Sequence, residues 1–297
     1  MKHTLKITLI LVLIFFITQI IGLVITNEYL DHKIIKEEGK IVFEPLPYNL
    51  ERPQIEETTS FIWIIAAILI GTAIFLVLIK YKIFKVWKVW FFVAVWVTLS
   101  IALSAFLNQF LAAIIALIAT LAKIYKPNIV MQNLTEVFIY GGLAAIFVPI
   151  LNIFAAIMLL ILISVYDVIA VYKTKHMIKL AKFQAKSKIF AGLLIPYGKL
   201  PKLKAGKGKL VTKKTRIAVL GGGDIGFPLI FAGVVMKGLM LENIEIIGFL
   251  KTLIIPVFVS LALLYLLIKG KKDKFYPAMP YVSVGCFIGY AIVLLLF

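Results

Sequence analysis

The run VFIYGGLAAIFVPILNIFAAIMLLILISVYDVIAVY, residues 137–172, extends for 36 residues and carries a single charge, Asp167. A helix crosses the hydrocarbon core of a bilayer in about 20 residues, so this stretch holds two spans. Pro149 and Asn152 mark the turn, because proline removes a backbone donor and restricts the residue before it. The same reading applies outward. Ile7–Ile25 is an uncharged run behind Lys2 and Lys6, too long for a signal-peptide core and read as an uncleaved first span. Phe61–Ile79 is the second span. Val86–Ala122 has only Lys88 inside it and holds two more, turning near Ser104–Gln109. Ile217–Met236, Ile246–Ile268 and Pro277–Phe297 complete an all-α polytopic membrane protein with nine transmembrane helices. The composition agrees, with 62% hydrophobic and 15% charged residues, far from that of a soluble domain. The single cysteine, Cys286, excludes an intramolecular disulfide.

The net charge of +18 is distributed by loop, which argues for cytoplasmic segments beside anionic lipid and against a nucleic-acid surface. With the N-terminus inside, alternate loops collect Lys2 and Lys6; Lys80, Lys82, Lys85 and Lys88; Lys123 and Lys126; fourteen bases between Lys173 and Arg216; and four between Lys269 and Lys274. The opposite side receives Thr26–Ser60, where eight acids face four bases. The positive-inside rule then predicts a multi-pass cell-membrane protein with a cytoplasmic N-terminus and an external C-terminus. Three parts follow: 1–172, six helices including the one with Asp167; 173–216, a basic cytoplasmic loop; and 217–297, three helices. Within them, Asn133 and Glu136 have the spacing of a capping box at the start of span five. Gly285 and Gly289 form a GxxxG pair that lets a neighbouring helix approach.

Asp167, in ISVYDVIAV, and Asp224, in VLGGGDIGF, lie inside apolar spans, whereas the other twelve acids are assigned to loops or span ends. A charged side chain at mid-bilayer costs about 2.5–3.5 kcal/mol or more, so intramembrane acids point to function. Asp167 precedes Lys173 by six residues and Asp224 follows Arg216 by eight. On continuous helices rising ~1.5 Å per residue, both lie roughly 9–12 Å from the cytoplasmic edge. Two neighbouring carboxyls do not both ionise easily, so one retains a proton while the other activates water. Their titration belongs to the pair, and neither receives a fixed role. Gly221, Gly222 and Gly223 bare the backbone before Asp224, although three glycines weaken a helix. Tyr166 offers a phenol beside Asp167, to hydrogen-bond or simply to pack. Pro277, Ala278 and Met279 open the last span on the same side, which is also an ordinary helix start.

The ordered set of YD on span six, GxGD on span seven and a Pro-Ala-Leu-like triplet on span nine resembles the presenilin and signal peptide peptidase aspartyl proteases. The resemblance covers the whole layout and looks most like an archaeal presenilin homologue. It implies that Asp167 and Asp224 are the catalytic dyad, with Tyr166, Gly221 and Gly223 as motif neighbours and Pro277-Ala278-Met279 as the substrate-binding triplet. Methionine replaces leucine at the third position, an apolar swap that bears on fine specificity. The lysine-rich cytoplasmic loop matches presenilin orientation rather than the inverted signal peptide peptidase. The apolar segment Ile189–Tyr197 could, by the same resemblance, occupy the site before substrate does or be self-cleaved. Leu210 and Val211, in a short β-favouring stretch Lys209–Thr212, are a candidate strand for pairing with extended substrate.

Other motifs fall away. Gly221-x-Gly223-x-x-Gly226 spells a dinucleotide fingerprint but lacks the strand–turn–helix context, and Gly206–Lys209 lacks Walker A spacing. His3, His32 and His176 all lie outside the spans, leaving no intramembrane histidine for serine-type or zinc proteolysis. The sequence therefore predicts an intramembrane aspartyl endopeptidase that uses no metal or cofactor and cleaves transmembrane helices of other proteins. An ion- or proton-coupled transporter or cation channel using the same acids is the alternative. A prepilin-peptidase type shares GxGD but fits the last-span motif and nine-span plan less well. Substrate identity, pH optimum and oligomeric state are not encoded in any pattern found.

Overall fold

The computed structural model describes residues 5–174, 176–177, 180, 183–184, 189–197, 216–270 and 276–296. Among these, helices α1 (Leu5–Glu28), α2 (His32–Glu38), α3 (Ser60–Lys80), α4 (Phe84–Ser104), α5 (Gln109–Tyr125), α6 (Ile129–Phe147) and α7 (Ile153–Val168) form the first part of the bundle. A hairpin of β1 (Gly192–Tyr197) and β2 (Arg216–Gly221) follows, then α8 (Gly223–Glu242), α9 (Glu245–Thr252), α10 (Ile254–Lys269) and α11 (Met279–Leu296). By length and composition, eight helical segments among the described residues are apolar enough to cross a membrane, and α5, at 17 residues, is a shorter apolar helix.

The two long apolar runs divide where their turn residues sit. Asn108 caps α5 by accepting from the Phe110 amide, and Asn152 caps α7 by accepting from Ala155. Such caps satisfy helix N-terminal donors that lipid cannot. The capping box expected at Asn133 and Glu136 is not formed. Asn128 begins α6 more than a turn earlier, accepting from Val130, so both residues lie inside the helix with side chains available for tertiary contacts. The span expected at Ile217–Met236 is also not one helix. Arg216–Gly221 is a strand paired with β1, and helix begins only at Gly223. A short apolar run such as this suits a strand as well as a helix, and periodicity alone does not separate them. Helical rises counted from Arg216 therefore do not give the depth of Asp224. The Ile246–Ile268 span breaks at Leu253, between α9 and α10; Pro256 has no N–H to offer the Thr252 carbonyl.

The main core gathers buried side chains of α1, α6, α7, α8, α10 and α11, including Phe15, Leu160, Leu229, Phe231, Leu263 and Val282. Helix contacts are close where glycine permits. A Cβ on Gly285 would lie 2.8 Å from the Val259 Cα, and one on Gly289 would lie 2.8 Å from the Ile255 Cα, so the GxxxG face of α11 packs on the α10 backbone. Between α4 and α6, a Cβ on Gly142 would sit 1.9 Å from the Thr98 carbonyl oxygen.

That last contact gives a test of the packing. Gly142→Ala is expected to lower stability by about 1–3 kcal/mol or prevent folding, because backbone on both sides must move. Gly71→Ala, which meets nothing within 4 Å, should leave the thermal midpoint of the purified protein near wild type. Equal midpoints for the two variants would refute the contact.

Candidate active site

Asp167 occupies the last turn of α7, and a π-helical turn, Ile169–Lys173, follows it. Asp224 is the second residue of α8. Helices α7, α8 and α11 pack on one another, and both acids are buried, at 5% and 9% exposure. The Met279 amide, at the start of α11, donates to Asp167 Oδ2 at 3.1 Å. A helix N-terminus supplies donors with no intrahelical partner and a favourable dipole for an anion. One turn on, the Ser283 and Ser164 hydroxyls are 2.9 Å apart. Thus Met279 and Ser283, spaced i,i+4, face Ser164 and Asp167 on α7, which fixes the register of the two helices. Ala278 and Met279 are buried beside this joint, with Pro277 just before them.

Tyr166 turns elsewhere. Its hydroxyl lies 3.0 Å from Thr72 Oγ1 of α3 and 3.1 Å from His176 Nε2, so it ties α7 to α3 and to the segment beyond the π-turn. Leu210 and Val211 lie outside the described residues.

The glycines before Asp224 have specific surroundings. Gly221 ends β2 opposite Gly192, and a Cβ there would be 3.3 Å from Asp224 Oδ2. The Gly222 amide donates to the Ala191 carbonyl at 3.2 Å. Across the pair, Gly192 has φ +140 and its Cβ would meet the Leu220 carbonyl at 2.1 Å, a position that only glycine takes without strain. Below the turn, Gln19 of α1 donates to the Ile225 carbonyl at 2.9 Å. This brace sits beside Pro228, which offers no amide to the carbonyl of Asp224 four residues earlier.

Sequence reading missed a third buried acid. Glu136, placed at a span end, is 1% exposed within α6. Its Oε1 accepts from Lys123 Nζ of α5 at 2.6 Å and from Gln132 Nε2 at 2.9 Å, and its Oε2 accepts from the Tyr140 hydroxyl. Lys123, counted as a loop cation, is buried in this pair and also reaches Thr135 Oγ1 at 3.0 Å. Gln132 and Asn133 hold the hairpin. Gln132 Nε2 lies 2.9 Å from the Phe190 carbonyl and 3.0 Å from that of Gly192. Asn133 both donates to the Leu194 carbonyl and accepts from its amide, each at 2.8 Å. The available signal was an amide pair followed by an acid at the head of a lipid-length apolar run.

A polytopic helical bundle with one buried acid in the last turn of α7 and another in the first turn of α8, on helices that pack together, defines a class of membrane protein built around intramembrane carboxyls. The particular family is shown by its sequence. Residues 45–297 match the family described as signal-peptide peptidase, presenilin aspartyl protease, and the chain belongs to it. It is an intramembrane aspartyl protease, and the match lends no support to a transporter or channel. A solved structure of a presenilin-family intramembrane aspartate protease in space group C222 is similar, with TM-score 0.61, 22% identity, and 98% of this chain and 99% of that chain covered. Another, in space group P2, has TM-score 0.60, 20% identity, and coverage of 100% and 99%. At these identities the structures speak to fold alone. No curated protein sequence matches the chain.

The buried Lys123–Glu136 pair makes a stability prediction. Glu136→Leu alone should cost about 3–5 kcal/mol, because it strands a buried ammonium. Lys123→Met with Glu136→Leu should recover the part of the loss that comes from the stranded ammonium, while the Tyr140 hydroxyl and Gln132 amide still lack their acceptor. Additive losses in the double variant would mean that the two charges do not compensate each other.

Proposed function

We propose that Asp167 and Asp224 are the catalytic pair of this protease, acting on peptide bonds within transmembrane segments of membrane-protein substrates. The observation that carries the reading is their setting: buried acids in the last turn of α7 and the first turn of α8, on helices that pack together. One carboxylate takes a proton from water as it attacks the scissile carbonyl, and the protonated partner donates to the developing oxyanion. The C–N bond of the resulting gem-diol then breaks as the proton taken from water passes to the leaving amine. A gem-diol hydroxyl returns its proton to the partner carboxylate, which leaves a carboxylic acid product and restores the pair. Pro277, Ala278 and Met279 act in substrate binding, at the helix start whose amide already holds Asp167.

The hairpin supplies the second element. Strand β2 ends at Gly221, three residues before Asp224, so an extended segment pairing along it carries its backbone toward that acid. A helix shields its peptide bonds through i→i−4 bonding, whereas an added strand presents them. Leu210 and Val211 precede β2 in the chain and belong to the same proposed pairing region. We further read nine spans with α5 as one of them, a cytoplasmic N-terminus and residence in the cell membrane, on the charge asymmetry of the loops.

The test is cleavage of a single-span substrate by purified enzyme, with products mapped by mass. Asp167→Asn and Asp224→Asn should each abolish fragments while leaving the thermal midpoint within a few degrees of wild type. Wild-type fragments from the Asp224→Asn enzyme would exclude the two-acid mechanism.

A further inference from the structure

Three consecutive glycines cannot hold a turn with side chains of their own, yet Gly221–Gly223 leads directly into Asp224. Support comes from α6. A Cβ on Gly222 would lie 2.7 Å from Tyr140 Oη, and one on Gly226 would lie 3.5 Å from Tyr140 Cδ1. The Tyr140 ring therefore lies along the face of the chain two residues before and two residues after Asp224. The ring is itself fixed, because its hydroxyl donates to the Glu136 carboxylate, a charge-assisted bond within a fully buried cluster. The same carboxylate accepts from Gln132, whose amide reaches the Phe190 and Gly192 carbonyls on the other side of the turn.

We propose that Tyr140, anchored by the Lys123–Glu136 pair, is a positioning residue that fixes the glycine turn and, through it, the Asp224 carboxylate. The proposal rests on the reading of Asp224 as catalytic. It also accounts for glycine at position 222, between the two motif glycines: the Tyr140 hydroxyl occupies the space that a side chain there would need. In this role Tyr140 acts by holding the turn from which Asp224 projects.

The test is a double-mutant cycle on full-length purified enzyme, measuring kcat and KM on a single-span substrate together with the thermal midpoint. Displacing a catalytic group by even 1 Å can cost about a hundredfold in rate. Gly222→Ala, which must push Tyr140 away, is expected to lower kcat about tenfold or more with KM within about twofold. Tyr140→Phe, which loses the bond to Glu136, should lower kcat about fivefold. In the Tyr140→Phe background, where the obstructing oxygen is gone, Gly222→Ala should cost at most about twofold more. Additive losses would overturn the inference, as would a lowered midpoint with kcat per folded molecule unchanged. If Gly222→Ala does not fold, Tyr140→Phe decides alone, being nearly isosteric: wild-type kcat refutes the proposal. Asp224→Asn is run beside them. An active Asp224→Asn enzyme sinks the catalytic assignment, whereas an inactive one with wild-type kcat in Tyr140→Phe and Gly222→Ala sinks only the positioning role.

Discussion

The bond from the Met279 amide to the Asp167 carboxylate joins two groups that are each costly in an apolar bundle. A carboxylate there needs donors, and the first turn of a helix carries amides without intrahelical partners. Each satisfies the other. Pro280, second in α11, has no N–H to satisfy at all, and the Tyr281 and Val282 amides donate back to the Ala278 carbonyl at 3.1 Å. The start of α11 is thereby accounted for donor by donor, and its Pro-Ala-Met sequence makes sense as the construction of one anion-binding end. With that end fixed on Asp167, the serine pair one turn further and the GxxxG contact on α10 set the remaining helices.

The two acids meet different electrostatic surroundings although both are buried. Asp224 lies in the first turn of its own helix, where the dipole favours negative charge. Asp167 lies where α7 passes into the π-helical turn Ile169–Lys173, away from the N-terminus of its own helix, and accepts from the foreign N-terminus of α11 instead. Two close carboxyls already share one proton unequally, and for the proposed acid–base pair this difference in surroundings would be a second distinction. The inequality arises from chain direction: α7 arrives at the site by its C-terminal end and α8 departs by its N-terminal end.

Much of this was legible in the chain because membranes impose strict rules. Asp167 stood out as the only charge in 36 residues, and Pro149, Asn152 and the GxxxG pair announced a turn and packing through local chemistry. What escaped was long-range or degenerate. Glu136 immediately precedes the uncharged run that starts at Val137, so hydropathy puts it at the edge of a span. The Asn128 cap starts the helix two turns before Glu136 and carries the acid into the bundle. Its partner Lys123 lies on another helix, so the compensation is invisible locally. Arg216–Gly221 could not be told from a helix by hydropathy, because a strand paired inside protein is as apolar as a span. Gln19 is a lone amide within a lipid-length run, and nothing in its neighbourhood names the Ile225 carbonyl as its target.

A hairpin at such a site has two outer edges, and polar satisfaction distinguishes between them. Leu194 spends both its amide and its carbonyl on Asn133, and the Gly192 carbonyl meets Gln132. Residues 192 and 194 alternate along β1 on the edge away from β2, so α6 has already taken the place where another strand would pair. Side-chain amides do this well, since carboxamide presents the same donor and acceptor as backbone. The proposed substrate strand would therefore add to the outer edge of β2, the strand that runs into Gly221 and Asp224. On these proposals the helix that carries Tyr140 beside the glycine turn also closes the other edge of the sheet, so that substrate register and acid position would both depend on one element, α6.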